Sequence, residues 1–212
     1  MFYIELEKRA MPPKQKITKD MILTTVLDIT RETGFEAVNA RSIAGKLQCS
    51  TRPIFTCYEN MEELKAEFLN FAFEYYIRYV EKYKKSEQVV PYLLFPISYI
   101  EFAKEETNLF RLLFISDMDL DMLEANDFYR ELGNEAKAKV FSQMIGVDTK
   151  QGKEIFLDLF LYSHGIAVLT ATGKLLFDNR NLENMLQNFL SAYVKQEREK
   201  AGISYGIQSL SN

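Results

Sequence analysis

RSIAGKLQCSTRPIFTCYENMEEL, residues 41–64, decides how the rest of the chain is read. Asn39, two positions earlier, is a side-chain cap for a short helix, ARSIAGKL, whose Ile43, Ala44 and Leu47 share one face. Ser50 can cap a second helix, TRPIFTCY, with Pro53 in the first turn, where a missing N–H is tolerated. Asn60 can cap a third, longer helix that begins at Met61. Two short helices joined by about four residues must cross steeply for their apolar faces to meet. Small Ala44 lets them approach, and Ile54, Phe55 and Tyr58 are the inward candidates from the second.

That second helix then turns Thr51, Arg52, Thr56 and Cys57 outward. A guanidinium fork can read guanine, and threonines can reach phosphate or a thymine methyl. Ser42 and Ser50 lie near helix N-termini, which offer backbone donors to phosphate, and Arg41 and Tyr58 complete the expected contact set. The turn itself holds Gln48 and Cys49, where a helix–turn–helix usually has glycine. If Gln48 has a positive φ, its side chain adds a cost of about 1 kcal/mol.

Outward from this stretch, ITKDMILTTVLDITRETG reads as a preceding helix with Thr18 as N-cap, Gly34 as stop, and Ile17, Met21, Val26, Ile29 and Thr33 near one face. MEELKAEFLNFAFEYYIRYVEKYKK follows as a long helix along Leu64, Phe68, Phe71, Tyr75 and Tyr79. Apolar blocks continue at 88–104, 107–116, 118–144, 151–176 and 180–200, with Pro91 and Pro96 delaying or kinking the first. No period-2 pattern interrupts them. The expected fold is all-α: an arm over 1–16, a three-helix unit with helix–turn–helix over 17–60, and a larger helical body over 61–212. Met11, followed by PPKQK, is a second candidate start, which makes MFYIELEKRA either an upstream extension or part of the arm.

The net charge of −4 excludes a uniformly basic nucleic-acid binder, but the distribution is uneven. Met11 to Tyr58 holds seven Lys/Arg against four Asp/Glu, while Glu59 to Asn212 is net acidic. A basic head on an acidic body would orient the molecule on a polyanion. The two cysteines, Cys49 and Cys57, have no second pair and no neighbouring histidine, so they read as reduced thiols of a cytoplasmic protein rather than metal ligands. No signal peptide is expected, since Met1 to Pro13 is charged. The run 155–177 is interrupted by Asp158, His164 and Lys174, which favours a buried helix over a membrane span. Phosphate loops, dinucleotide fingerprints and metal-spaced clusters are lacking, so no cofactor and no enzymatic activity are expected.

Residues 17–64 resemble the DNA-binding domain of the TetR/AcrR family of transcriptional regulators. The likeness rests on Glu32-Thr33-Gly34-Phe35, Val38-Asn39-Ala40-Arg41-Ser42-Ile43-Ala44, Ser50 through Tyr58, and Asn60-Met61-Glu62-Glu63-Leu64, and needs no gap from Arg41 to Leu64. Phe55 stands where that family usually has tyrosine, and Tyr58 where it usually has phenylalanine or valine. Gln48 replaces the family's turn glycine, and Met61 replaces a lysine that commonly contacts phosphate. Lys14, Lys16 and Lys19, before the first helix, could replace that contact. Further along, YIEFAKEETNLFRLLF (99–114) is similar to an early helix pair of the family's ligand-binding domain, and Ser163-His164-Gly165 to the Trp-His-Gly segment of one subclass.

The resemblance implies a ligand-responsive regulator, in the repressor sense, that binds a near-palindromic double-stranded operator as a homodimer. It implies a pocket for a largely hydrophobic small molecule, with Tyr99, Phe102, Phe110, Phe114, Met118, Phe128 and His164 as candidate lining. It also implies a dimer-forming pair of C-terminal helices, with Phe156, Leu159, Phe160 and Ser163 on one and Met185, Leu186, Phe189 and Tyr193 on the other. The alternative is a binding module of the same fold that has lost specific DNA binding and acts as a co-regulator or small-molecule carrier.

Overall fold

The structure is a computed structural model that describes residues 16–86, 89–118, 122, 124–129 and 133–200. Lys14 and the rest of the arm before Lys16 lie outside the described residues. The described residues are helical and contain no strand, as the absence of period-2 patterning requires.

Helix α1 (Lys19–Thr33) starts where the Thr18 hydroxyl accepts the Met21 N–H, 3.2 Å away. It stops at Gly34, whose φ of 94° is open to glycine at little cost. Its buried arc is wider than the expected stripe. Ile22, Leu23, Val26, Leu27, Ile29 and Thr30 are all buried, whereas Thr33 is exposed. The reason is position: α1 packs against α2 (Ala40–Lys46) and also against α4 (Met61–Ser86) and α6 (Thr107–Arg111), so it has two inner sides.

Between α2 and α4 lies α3 (Arg52–Cys57). The caps of α2 and α4 are the expected ones: Asn39 accepts from the Arg41 and Ser42 N–H groups, and Asn60 accepts from the Glu63 N–H at 2.9 Å. For α3 the expectation fails. Thr51, not Ser50, is the capping residue, its carbonyl taking the first helical hydrogen bond, and no side chain caps this end. Along α4 the fully buried spine is Leu64, Phe68, Ala72 and Tyr76, with Phe71, Tyr75 and Tyr79 half-buried on its flank.

Pro91–Leu93 form a single 3-10 turn before α5 (Leu94–Glu105), so this helix begins late, as the prolines dictate. At Glu106 the backbone leaves helical geometry and α6 starts; it widens into a π turn over Leu112–Ser116. A short turn, Ala125–Tyr129, precedes α7 (Asn134–Ile145). The centre of the body is α8 (Thr149–Ala171), packed between α5 and α7. It is long and apolar enough to cross a membrane by composition, but more than half of its most apolar window is buried against protein. Gly152 makes the α7 contact possible: a Cβ there would fall on the Ser142 side chain and only 2.9 Å from Ser142 Cα. The last helix, α9 (Asn179–Lys200), closes on the body through Leu182, Leu186 and Leu190.

Candidate nucleic-acid interface

The turn that joins α2 to α3 is closed by two reverse hydrogen bonds. The Gln48 N–H donates to the Gly45 carbonyl at 3.2 Å, and the Cys49 N–H to the Ala44 carbonyl at 3.0 Å. This is a Schellman stop, and it requires a left-handed residue at Gln48, whose φ is 51°. A side chain in that region costs about 1–2 kcal/mol relative to its relaxed backbone. The turn therefore has the geometry that a glycine would serve, with the strain carried by Gln48. An ion pair from Lys46 to Glu32, 2.7 Å, ties the end of α2 back to α1.

Below this turn one side of α2 and of α3 is buried. Ile43 and Ile54 are fully buried and Ala44 nearly so, as expected for the inner faces of the two helices. Tyr58, named both among the inner candidates and in the contact set, is 2% exposed, so it belongs to the inner face and not to the contacts. It sits at the end of α3 with extended backbone, its ring 4.5 Å beneath the Lys19 ammonium. Burial, then the nearby Glu67 charge, raises its pKa from the ordinary tyrosine value. Phe55, expected inside, is half exposed. Tyr58, four residues after Ile54, continues the inward row as its place among the inner candidates requires, whereas Phe55, one residue after Ile54, is turned roughly 100° away and out of it.

The exposed face of α3 is thus Arg52, Phe55 and Thr56, flanked by half-buried Thr51 and Cys57 and by exposed Ser50. The Thr56 hydroxyl donates to the Arg52 carbonyl at 3.0 Å, leaving its oxygen lone pairs and methyl outward. Arg41 is exposed in the first turn of α2. Ser42 is less available: its hydroxyl accepts the Asn39 N–H and lies 2.9 Å from both the Ala37 and Asn39 carbonyls. Among the described residues, Arg41 and Arg52 join no ion pair. Lys16 is exposed, but Lys19 is engaged, 2.6 Å from Glu67 on α4. Met61 is half-buried against the core, consistent with a residue that packs rather than reaches out.

Helices α1 and α4 meet the bend between α5 and α6 at a polar junction that sequence reasoning missed. Glu106, at the bend between α5 and α6, is 8% exposed. It accepts both Arg31 Nε and Nη2 at 2.7 Å, and the Tyr75 hydroxyl at 2.7 Å. Burial and the Glu106 contact push the Tyr75 pKa up to about 12, and the hydrogen bond to Glu106 raises that of Arg31. The Asn108 amide donates to the Arg31 carbonyl at 3.1 Å, and Lys65 pairs with Asp117 at 2.6 Å. Periodicity cannot reveal such partners, because they are 31 to 77 positions apart in the chain.

In the body, the residues expected around a ligand are brought together, but as a close-packed aromatic cluster. Tyr99, Phe102, Phe110 and Phe128 are almost fully buried, and Phe114, Met118 and His164 half-buried. Tyr99 lies edge-on to Phe110 and Phe114, with centroids 5.2 and 5.1 Å away. Its hydroxyl is 2.9 Å from His164 Nδ1. Burial lowers the His164 pKa, so the neutral ring accepting from Tyr99 is the favoured arrangement. A cavity of about 370 Å³ opens beside this cluster, between Pro91–Pro96, α7 and α8. None of the seven expected lining residues borders it.

The expected dimer face is also redistributed. Phe156, Leu159, Phe160 and Ser163 on α8, and Leu186 on α9, are buried within the single chain. α5 and α7 cover that side of α8, and Leu186 of α9 is likewise turned into the chain. The outward side of α8 carries Leu161 and Leu169, 51% and 46% exposed, with exposed Gly165 midway between them. Half-buried Met185, Phe189 and Tyr193 on α9 adjoin it, with Phe189 stacked on Tyr162 at 4.5 Å.

No protein-family model and no curated protein matches this chain.

Proposed function

We propose that this chain is a ligand-responsive transcription regulator of the TetR type, acting as a repressor. It binds a near-palindromic operator as a homodimer and is switched by a largely hydrophobic small molecule. The observation that carries the reading is α3 itself. It buries Ile54 and Tyr58, follows the Gln48 turn, and leaves Arg52, Phe55 and Thr56 exposed; Arg41 on α2 is exposed too and joins no ion pair among the described residues. A short helix with one side buried, and a guanidinium, a ring and a methyl turned outward, suits a major groove.

The apolar strip formed by Leu161, Leu169, Met185, Phe189 and Tyr193 supplies the dimer contact, with Gly165 permitting close approach of two α8 helices. Two helices from each subunit pack as a four-helix interface about a two-fold axis. That symmetry sets two copies of α3 one DNA turn, about 34–36 Å, or a multiple apart. Ligand in the body acts on the head through α6, since the Glu106 bend grips Arg31 of α1. The ligand switches DNA binding only to the extent that it prefers one arrangement of that junction.

The test is a fluorescence-anisotropy titration of the full chain against its own upstream DNA and a scrambled duplex, across salt. The upstream duplex should bind at least about 10³-fold tighter. Arg52→Ala should remove about 1–3 kcal/mol of that preference. Equal affinity for both duplexes would favour the second reading, a TetR-fold module without specific DNA binding that serves as co-regulator or small-molecule carrier. What favours that reading is the state of the head's lysines: Lys19 and Lys46 are both held by glutamates, and Met61 offers no charge.

A further inference from the structure

The cavity beside the aromatic cluster has a composition that narrows its ligand. One wall is the Pro91–Pro96 segment, with Tyr92 and Phe95 facing the space. Pro91 and Pro96 have no N–H, so the irregular start of α5 adds two fewer backbone donors to that wall. The opposite wall is α7, with Val140, Phe141 and Met144. Val140 and Met144 are about half exposed, one helical turn apart, and this is apolar surface with no cover from the described residues.

Among the lining residues Lys137 alone carries a charge. Its side chain borders the cavity while the residue as a whole is exposed. No carboxylate among the described residues pairs with it. Partial loss of water around the ammonium lowers its pKa from the ordinary lysine value. An amine so placed is stabilised by an anion that shares its surroundings.

We infer that this cavity binds an amphipathic organic anion, its hydrocarbon body between Phe95 and Val140 and its carboxylate on Lys137 Nζ. A volume of about 370 Å³ lies within the range of small-molecule sites. A compact anion such as phosphate would leave the apolar walls wet, a neutral hydrocarbon would gain nothing from Lys137, and a cation would be repelled by it. The role of this ligand as effector rests on the regulator reading above; its binding does not. A route from site to head exists in the rings: Phe95 stacks on Tyr99 at 5.8 Å, and Tyr99 touches Phe110 and Phe114 of the segment that begins at Glu106.

The experiment is isothermal titration of the full chain with decanoate, decan-1-ol and decyltrimethylammonium, all below their micelle concentrations. Decanoate should bind best, and octanoate about fifteenfold more weakly, from about fourfold per methylene removed. Lys137→Met, which keeps the stem, should weaken decanoate about tenfold and leave decanol unchanged, the loss expected for one charge-assisted hydrogen bond at a partly wet site. Ala136→Trp, which fills the cavity without altering charge, should abolish both. Equal binding of decanoate and decanol, an unchanged decanoate affinity in Lys137→Met, or no decanoate binding would each overturn the inference. So would a cavity occupied by a second copy, seen as Ala136→Trp dissociating an oligomer without affecting decanoate. Decanoate binding by a chain that fails to distinguish its upstream DNA would leave this site standing and remove the regulator reading alone.

Discussion

Arg31→Ala is the substitution that most directly probes how the amino-terminal helices are attached. Arg31 gives Glu106 two hydrogen bonds of 2.7 Å, and Tyr75 gives a third. The Glu106 side chain is 8% exposed and that of Arg31 43%. Stripping one partner from a fully buried ion pair costs about 3–5 kcal/mol, because the other charge is left unpaired. Here the arginine is nearly half in water and Tyr75 goes on donating, so the loss should be about 2 kcal/mol. For a chain of this length that lowers the thermal midpoint by about 4–8 °C. Glu106→Gln removes the charge but keeps the shape. The double variant should therefore lose at least about 1 kcal/mol less than the two single losses added together. Urea and thermal melts followed by circular dichroism on the four proteins give the cycle. Single losses that add within about 0.5 kcal/mol would refute the junction as an energetically coupled unit. So would an Arg31→Ala midpoint equal to that of the parent.

Three further outcomes follow from particular residues. Gln48→Gly should stabilise the chain by about 0.5 kcal/mol, relief of the left-handed strain exceeding the added freedom of the unfolded glycine, and Gln48→Val should destabilise it; equal melting midpoints for the two variants would remove the strain argument. Because burial holds the His164 pKa below 6.5, the unfolded chain takes up that proton first as pH falls. Its contribution to stability is complete above pH 6.5 and declines as pH drops through that value toward the folded pKa, so His164→Gln should flatten the slope of stability between about pH 7 and 5. Leu161→Glu, on the outward side of α8, should convert a dimer to monomer in sedimentation without lowering the monomer's helicity; a monomeric parent, or an unaffected dimer, would move the interface elsewhere.

How much of this was legible in the chain depends on the distance over which each feature is determined. Caps at Thr18, Asn39 and Asn60, the stop at Gly34 and the late start of α5 at its prolines all follow from a few neighbouring residues, while the positive φ at Gln48 was only a condition until the structure fixed it. Local backbone sterics and side-chain-to-backbone hydrogen bonds settle them, so the sequence alone suffices. It also determined that the helices are amphipathic, and hence that the described fold is all-helical.

Which side of a helix faces what was another matter. Periodicity marked Phe156, Leu159, Phe160 and Ser163 as a shared face, but it could not distinguish a face covered by α5 and α7 from one offered to a partner. The same ambiguity put Phe55 on the inner face with Tyr58, since a helix of six residues has too few turns to define an arc. The aromatic residues of the body were correctly grouped, yet only packing decided that they fill their own space and that the cavity opens beside them. The Arg31–Glu106–Tyr75 junction left no pattern at all along the chain. The sequence by itself determined the helices and their ends, because those depend on contacts a few residues long. The tertiary structure alone decided which faces are spent inside and which remain exposed, because burial depends on neighbours that the chain brings in from far away.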